Sequence, residues 1–360
     1  MVNLSLTEAL QAMQSNITEN VGINDPTNYS RRLGLSDYLF SPANPRTITT
    51  SFGQASRDGK YKPVEIRTLA KKSQADLINE ASDYSCARVT TRRELITTLN
   101  PTLIAGDRFG VDEAIIREGT QQEINARIAK EVKDAMLNGR EEMDRALFSA
   151  ANGLVGANPA NGSQKDEFFD VEMLNADGTL DSDVFDRIAN DQVDNFQLGD
   201  VALIGNFNIR KVVNRLAVGS TTDGGVNFGD VNTQFGMNLF IDDWTNTIHT
   251  TANQNRVLAF SPGLAQPYFY NFYNAGIKEN TPGLSIKTTV PDSVYPFSWD
   301  LHLKWDDGCD TNNPQSFLVG NLFVYFDLFA VDEAAFGDGY TDNLNDYNGI
   351  TGYNITQASS

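Results

Sequence analysis

Two histidines, His249 and His302, and two cysteines, Cys86 and Cys309, are all the imidazole and thiol that this 360-residue chain offers. A zinc site needs such residues clustered, as in HExxH or CxxC, and neither spacing occurs. An α/β hydrolase would set its serine in a Gly-x-Ser-x-Gly elbow, which is also missing. The stretch Gly53–Lys60 has the look of a phosphate-binding loop. However, five residues rather than four separate Gly53 from Gly59, and Tyr61 stands where a Ser or Thr would bind magnesium. Acidic clusters at Asp177, Asp181 and Asp183, and at Asp306, Asp307 and Asp310, lack the glycine and glutamate positions of a calcium loop and read as solvated turns. The aromatic run Tyr268–Tyr273 has no interleaved Arg or Lys, as a single-strand nucleic-acid platform requires, and reads as core or subunit interface. The chain is therefore expected not to be an enzyme, and neither a cofactor nor a metal is expected.

Charge narrows the partners. The net charge is −19, unevenly spread: residues 1–150 hold 19 Lys and Arg against 20 Asp and Glu, whereas residues 151–360 hold 9 against 27. A dedicated nucleic-acid reader carries a basic surplus. Here only local clusters occur, at Arg31-Arg32, Lys71-Lys72 and Arg92-Arg93, each best read as a solvated or salt-bridged pair. No apolar run reaches the roughly 20 residues that cross a bilayer, and the N-terminus lacks the pattern of a signal peptide. Two distant cysteines make no disulfide framework. These features lead to the expectation of a chain made and kept in a cytoplasm, without membrane contact.

The elements that could position anything are dominated by one helix. Thr120 and Glu123 form a capping-box pattern. Apolar residues then recur at Ile124, Ile128, Val132, Met136, Met143 and Leu147 on one stripe. Gly153 is expected to close the helix in a left-handed conformation, and Glu123–Arg127 and Glu141–Arg145 are expected ion pairs on its outer face. The predicted helix, residues 120–153, spans roughly 45–50 Å at about 1.5 Å per residue. Ahead of it, residues 1–45 read as a Pro- and Asn-punctuated arm that cannot bury enough apolar surface alone. Thr47–Phe52 and Val64–Leu69 read as a long hairpin with a basic tip at Arg57, Asp58, Lys60 and Lys62. Beyond it, Asp181–Asn195 reads as a helix, Val201–Ile204 as a buried strand and Asn206–Leu216 as a helix. Met237–Ile241 and Val257–Phe260 read as strands. Phe317–Val319 and Leu322–Val331 read as strands covered on both faces, and the acidic tail after Gly337 as loosely held.

This order of elements resembles the major capsid protein of tailed bacteriophages, of the Hong Kong 97 type. The resemblance is carried by Arg117–Gly153 as the spine helix, by Gly199–Ile204 with Arg210-Lys211, by Phe235–Met237, and by Val257–Pro262, within residues 40–335. It implies an α+β fold with an N-terminal arm (1–45), an extended β-hairpin loop (46–83), a peripheral domain (84–195) with the spine helix, an α/β axial domain (196–285), a return to the peripheral domain (286–335) and a polar C-terminal tail (336–360). In that family the extended loop and the arm reach neighbouring subunits. The resemblance thus assigns inter-subunit contacts to Arg57, Asp58, Lys60 and Lys62 at the loop tip, and to Arg31, Arg32, Tyr38 and Phe40 in the arm.

The implied function is a head shell of hexamers and pentamers around double-stranded DNA, located in the virion and assembled in the host bacterial cytoplasm. A separate scaffolding protein, a portal and decoration proteins are the further partners so implied, and DNA is enclosed without sequence-specific binding. An encapsulin-type nanocompartment with the same fold is the nearest alternative reading. A soluble hydrolase or binding protein is a more distant one.

Overall fold

The computed structural model describes residues 32–44, 64–69, 94–99, 101–112, 118–155, 169–174, 201–205, 237–243, 256–273, 278–281, 285–305, 316–331 and 349–357. Along the chain these form helix α1 (Gly34–Phe40), strands β1 (Val64–Leu69), β2 (Glu94–Leu99) and β3 (Leu103–Asp112), and the long helix α2 (Gln121–Gly153). There follow β4 (Phe169–Leu174), β5 (Val201–Gly205), β6 (Met237–Ile241), β7 (Arg256–Phe260), β8 (Ala265–Tyr270) and β9 (Lys278–Thr281). The last four strands are β10 (Ser285–Pro291), β11 (Ser298–Trp305), β12 (Ser316–Ala330) and β13 (Ile350–Gln357). They make a two-stranded ribbon β1-β2, a six-stranded sheet β3-β12-β11-β10-β9 in which β8 also pairs with β12, and a five-stranded sheet β4-β13-β7-β5-β6. The helices expected at Asp181–Asn195 and Asn206–Leu216 and the hairpin strand expected at Thr47–Phe52 lie outside the described residues.

Helix α2 follows from its sequence. The Thr120 hydroxyl accepts from the Glu123 N–H, and the Glu123 carboxylate accepts from the Thr120 N–H, so the capping box closes. Ile124, Ile128, Val132, Met136, Met143 and Leu147 are all buried in the main core. The helix lies chiefly on β3 and also on β12, so its load is the edge of the six-stranded sheet. Two local expectations change. Gly153 stays helical, and the end is set at Leu154, whose N–H bonds to the carbonyls of Ala150 and Ala151. Glu123 is consumed by its cap, so Arg127 pairs with Glu131 instead at 2.7 Å, and Arg145 pairs with Glu142.

Strand β12 buries Leu318, Leu322, Val324, Phe326 and Leu328 on the α2 side, in strict alternation. Its other face is only half covered. There Leu99 and Ile66 of the ribbon pack with Tyr268, Tyr270, Tyr325 and Phe329 in a second apolar cluster. A bare ribbon is marginal in water, and this sheet gives its base a surface within the same chain.

The chain crosses between sheets at Ser261–Leu264, since β7 belongs to the five-stranded sheet and β8 to the six-stranded one. Tyr268–Tyr270, the first part of the aromatic run expected in the core or at a subunit interface, lie on β8. The tail also differs from expectation. Ile350–Gln357 pairs in parallel with β4 and antiparallel with β7, and it buries Ile350 and Tyr353. Its alternation of Ile, Gly, Asn and Thr is mild enough to look like polar coil, yet two neighbours satisfy its backbone on both edges.

Candidate functional site: the junction between the sheets

The densest polar chemistry among the described residues lies where α1 wedges between α2, β5, β6 and β8. Gly34 begins the wedge because nothing larger fits: a Cβ there would fall 2.5 Å from the Ile241 carbonyl oxygen. The Leu35 N–H donates to Asp242 Oδ2 at 3.0 Å. The Ser36 N–H and hydroxyl donate to Asp144 Oδ1 at 2.8 and 2.5 Å. Arg32 N–H donates to Asp243 Oδ2 at 2.9 Å, and Asp243 N–H returns a bond to the Arg32 carbonyl. Asp144 belongs to α2, whereas Asp242 and Asp243 continue from β6. One turn of helix therefore ties the spine to the five-stranded sheet.

Asp144 and Asp242 are fully buried. The remaining Asp144 oxygen, Oδ2, has no protein donor, and Asp242 is its carboxylate neighbour. Burial, reinforced by Asp242, pushes the Asp144 carboxyl well above the usual carboxylate range, against the lowering effect of the Ser36 bonds. The neutral carboxylic acid is thereby the favoured form of Asp144 beside Asp242, since two buried neighbouring carboxylates repel.

A second cluster braces the same turn of α2. Arg140 Nε donates to Asp292 Oδ2 at 2.8 Å and Arg140 Nη2 to Ser293 Oγ at 2.8 Å. Trp299 Nε1 donates to the same Asp292 oxygen at 2.8 Å, and the Val294 and Tyr295 N–H groups fill Asp292 Oδ1. This ion pair is buried and fully bonded, the condition under which a buried pair holds position. Trp299 itself lies over Gly139, where a Cβ would meet its Cη2 at 2.8 Å. The Tyr295 hydroxyl donates to Asp37 Oδ1 at 2.8 Å, which ties the cluster back to α1. Burial and the Asp37 carboxylate raise the Tyr295 phenol, so it stays a donor.

The predicted arm contacts fall here. Tyr38 is 1% exposed and packs against Phe240 and Phe260 at 5.4 and 5.5 Å between ring centroids. Phe40 stacks on Tyr295 at 4.7 Å and on Phe269 at 5.6 Å. Both side chains spend their surface inside their own chain, so Tyr38 has none left for a neighbour. Arg32 is exposed beside this wedge. Arg31, Arg57, Asp58, Lys60 and Lys62 lie outside the described residues. The junction residues Gly139, Arg140 and Asp144 were missed, although they carry a signal. They interrupt the apolar stripe of α2 between Met136 and Leu147, where a regular amphipathic helix has no reason to place a glycine, an arginine and an aspartate.

Among the described residues no group of three or more His, Cys, Asp or Glu side chains is arranged to hold a metal ion. None of their helices is long and apolar enough to cross a membrane. What this geometry does is fix the angle between a helix-covered sheet and a second sheet.

No family model and no curated protein sequence matches the chain. Solved structures do. It aligns with a chain of the cyanophage A-1(L) capsid asymmetric unit at TM-score 0.52 and 13% identity, over 94% of this chain and 97% of that one. A chain from mycobacterium phage Bobi aligns at TM-score 0.46 and 12% identity, over 99% and 100%. A capsid chain of an empty GTA particle aligns at TM-score 0.46 and 10% identity, over 96% and 97%. The class is thereby set: a mixed α+β fold shared with a phage capsid chain. The cyanophage chain carries that assignment, and it is a likeness of fold.

Proposed function

We propose that this chain is the major capsid protein of a tailed bacteriophage, with a Hong Kong 97-type fold. The observation that carries the reading is the fold shared with the cyanophage capsid chain across nearly the whole of both chains. In this reading the six-stranded sheet with α2 is the peripheral domain, β5, β6 and β7 belong to the axial domain, and the ribbon β1-β2 is the base of the extended loop. Axial domains meet at the centres of hexamers and pentamers. The loop tip, with Arg57, Lys60 and Lys62, reaches an acidic surface of the next subunit.

Shell building needs no catalytic group, since binding geometry is the activity. Obligate interfaces bury roughly 2,000–5,000 Å² each, and closed symmetry multiplies many such contacts. A rigid inter-sheet junction suits this role, because a shell closes only if each subunit presents its interfaces at a fixed angle. The acidic surplus of residues 151–360 keeps packaged DNA from adhering where it faces inward. A separate scaffolding protein, a portal and assembly in the host cytoplasm belong to the same reading. Reversal of Lys60 and Lys62 to Glu tests the loop: reduced particle yield is expected, and wild-type yield would remove the loop tip from the account.

A further inference from the structure

The six-stranded sheet has a second face, opposite α2. In-register positions across it run from Lys278 on β9 to Lys287 on β10, His302 on β11, Asn321 on β12 and Arg108 on β3. Residues in one cross-strand row share a face, so Lys287, His302 and Arg108 project together. Lys304 joins them two residues along β11, and it and Arg108 are exposed.

No ion pair among the described residues engages Arg108, Lys287 or Lys304. Asp300, on the same face, is buried and accepts from the Phe272 and Tyr273 N–H groups. Asp107 is turned to the α2 side, where Asn138 donates to it at 2.7 Å. Lys287 Nζ rests 5.6 Å from the Tyr273 ring centroid. Burial, and after it the charges of Lys287 and Lys304, holds the His302 imidazole below its usual range. Three of the nine Lys and Arg in residues 151–360 stand on β9–β11.

We propose that this face docks an acidic segment of a second copy of the chain, an inference that rests on the shell reading above. The complement is in the sequence: residues 332–348 hold Asp332, Glu333, Asp338, Asp342 and Asp346 and no Lys or Arg. Geometry favours a partner's segment over the chain's own. The Val331 N–H donates to the Leu264 carbonyl at 3.1 Å, and the Ser261 N–H to the Gly349 carbonyl at 2.9 Å, so both ends are held at one turn. Seventeen residues going out and back reach ~30 Å at full stretch. Asn321 lies ten residues up β12 from Val331, about 33 Å away. The segment cannot lie along its own cationic row, whereas a neighbour's can. Three cations amid so acidic a chain also suit a short carboxylate segment better than the polyanionic length of DNA.

The test uses the full chain with Lys287→Glu and Lys304→Glu together. Circular dichroism and thermal melting, expected to be unchanged, confirm that it folds. Sedimentation at 50 and 300 mM salt should show association weakened about tenfold at low salt and little altered at high salt. Mixing it with Asp338→Lys, Asp342→Lys chains should restore association. Wild-type association at both salts, or no recovery in the charge-swapped mixture, overturns the proposal. So does loss of binding to a 30-base-pair duplex with association unchanged, which would give the face to DNA. A wild-type chain that never associates refutes the shell reading itself, a result read without any variant.

Discussion

At the residue scale, the account turns on polar groups buried in the junction and sheet. Burial raises the Asp300 carboxyl from 3.8 to about 7, despite the bonds from Phe272, Tyr273 and Asn271 that lower it. Below about pH 4 both folded and unfolded chains hold this proton. Between there and pH 7 only the folded chain keeps it, so stability falls as pH rises, by at most ~1.4 kcal/mol per pH unit. Asp144, raised mainly by burial, adds to the same slope. Urea midpoints from pH 4 to 8 should therefore fall in the wild type and fall less steeply in Asp300→Asn and in Asp144→Asn. An unchanged slope in both variants would refute the assignment. Gly139→Val drives a side chain into Trp299 and should cost about 1–3 kcal/mol in chemical denaturation, whereas Ser149→Val, exposed on the same helix, should cost little. These sites were barely legible beforehand. The Asp144–Asp242 and Arg140–Asp292 pairs join residues 98 and 152 positions apart, and no local pattern announces such partners.

At the element scale, legibility followed periodicity. Helix α2 was readable to within one residue at its N-terminus because a capping box and a regular stripe agree. Ile128→Asp places a charge at a fully buried position and should abolish folding, seen as loss of the cooperative melt. Ala126→Asp, on the exposed side two residues earlier, should melt as the wild type. Strand β5 was readable because Val201–Gly205 is buried at every position. Strand β13 was not, since its order depends on β4 and β7, far away in sequence. Helix α1 is likewise hidden within the expected arm, because seven residues with isolated Leu, Tyr and Phe anchors do not reveal that their own chain receives them.

At the scale of the whole molecule, the parts share one logic. A long capped helix covers one sheet, a short wedge bolts it to a second sheet, and a ribbon base and a cationic row occupy the remaining face. In the proposed reading such a subunit has its angles fixed internally and its adhesive surfaces left for copies of itself. The central claim is that this chain builds a shell. Electron microscopy of the purified full-length chain in negative stain, across a concentration series, tests it most directly. The account predicts six- and five-fold rings or closed shells of uniform diameter; single subunits at every concentration would contradict it.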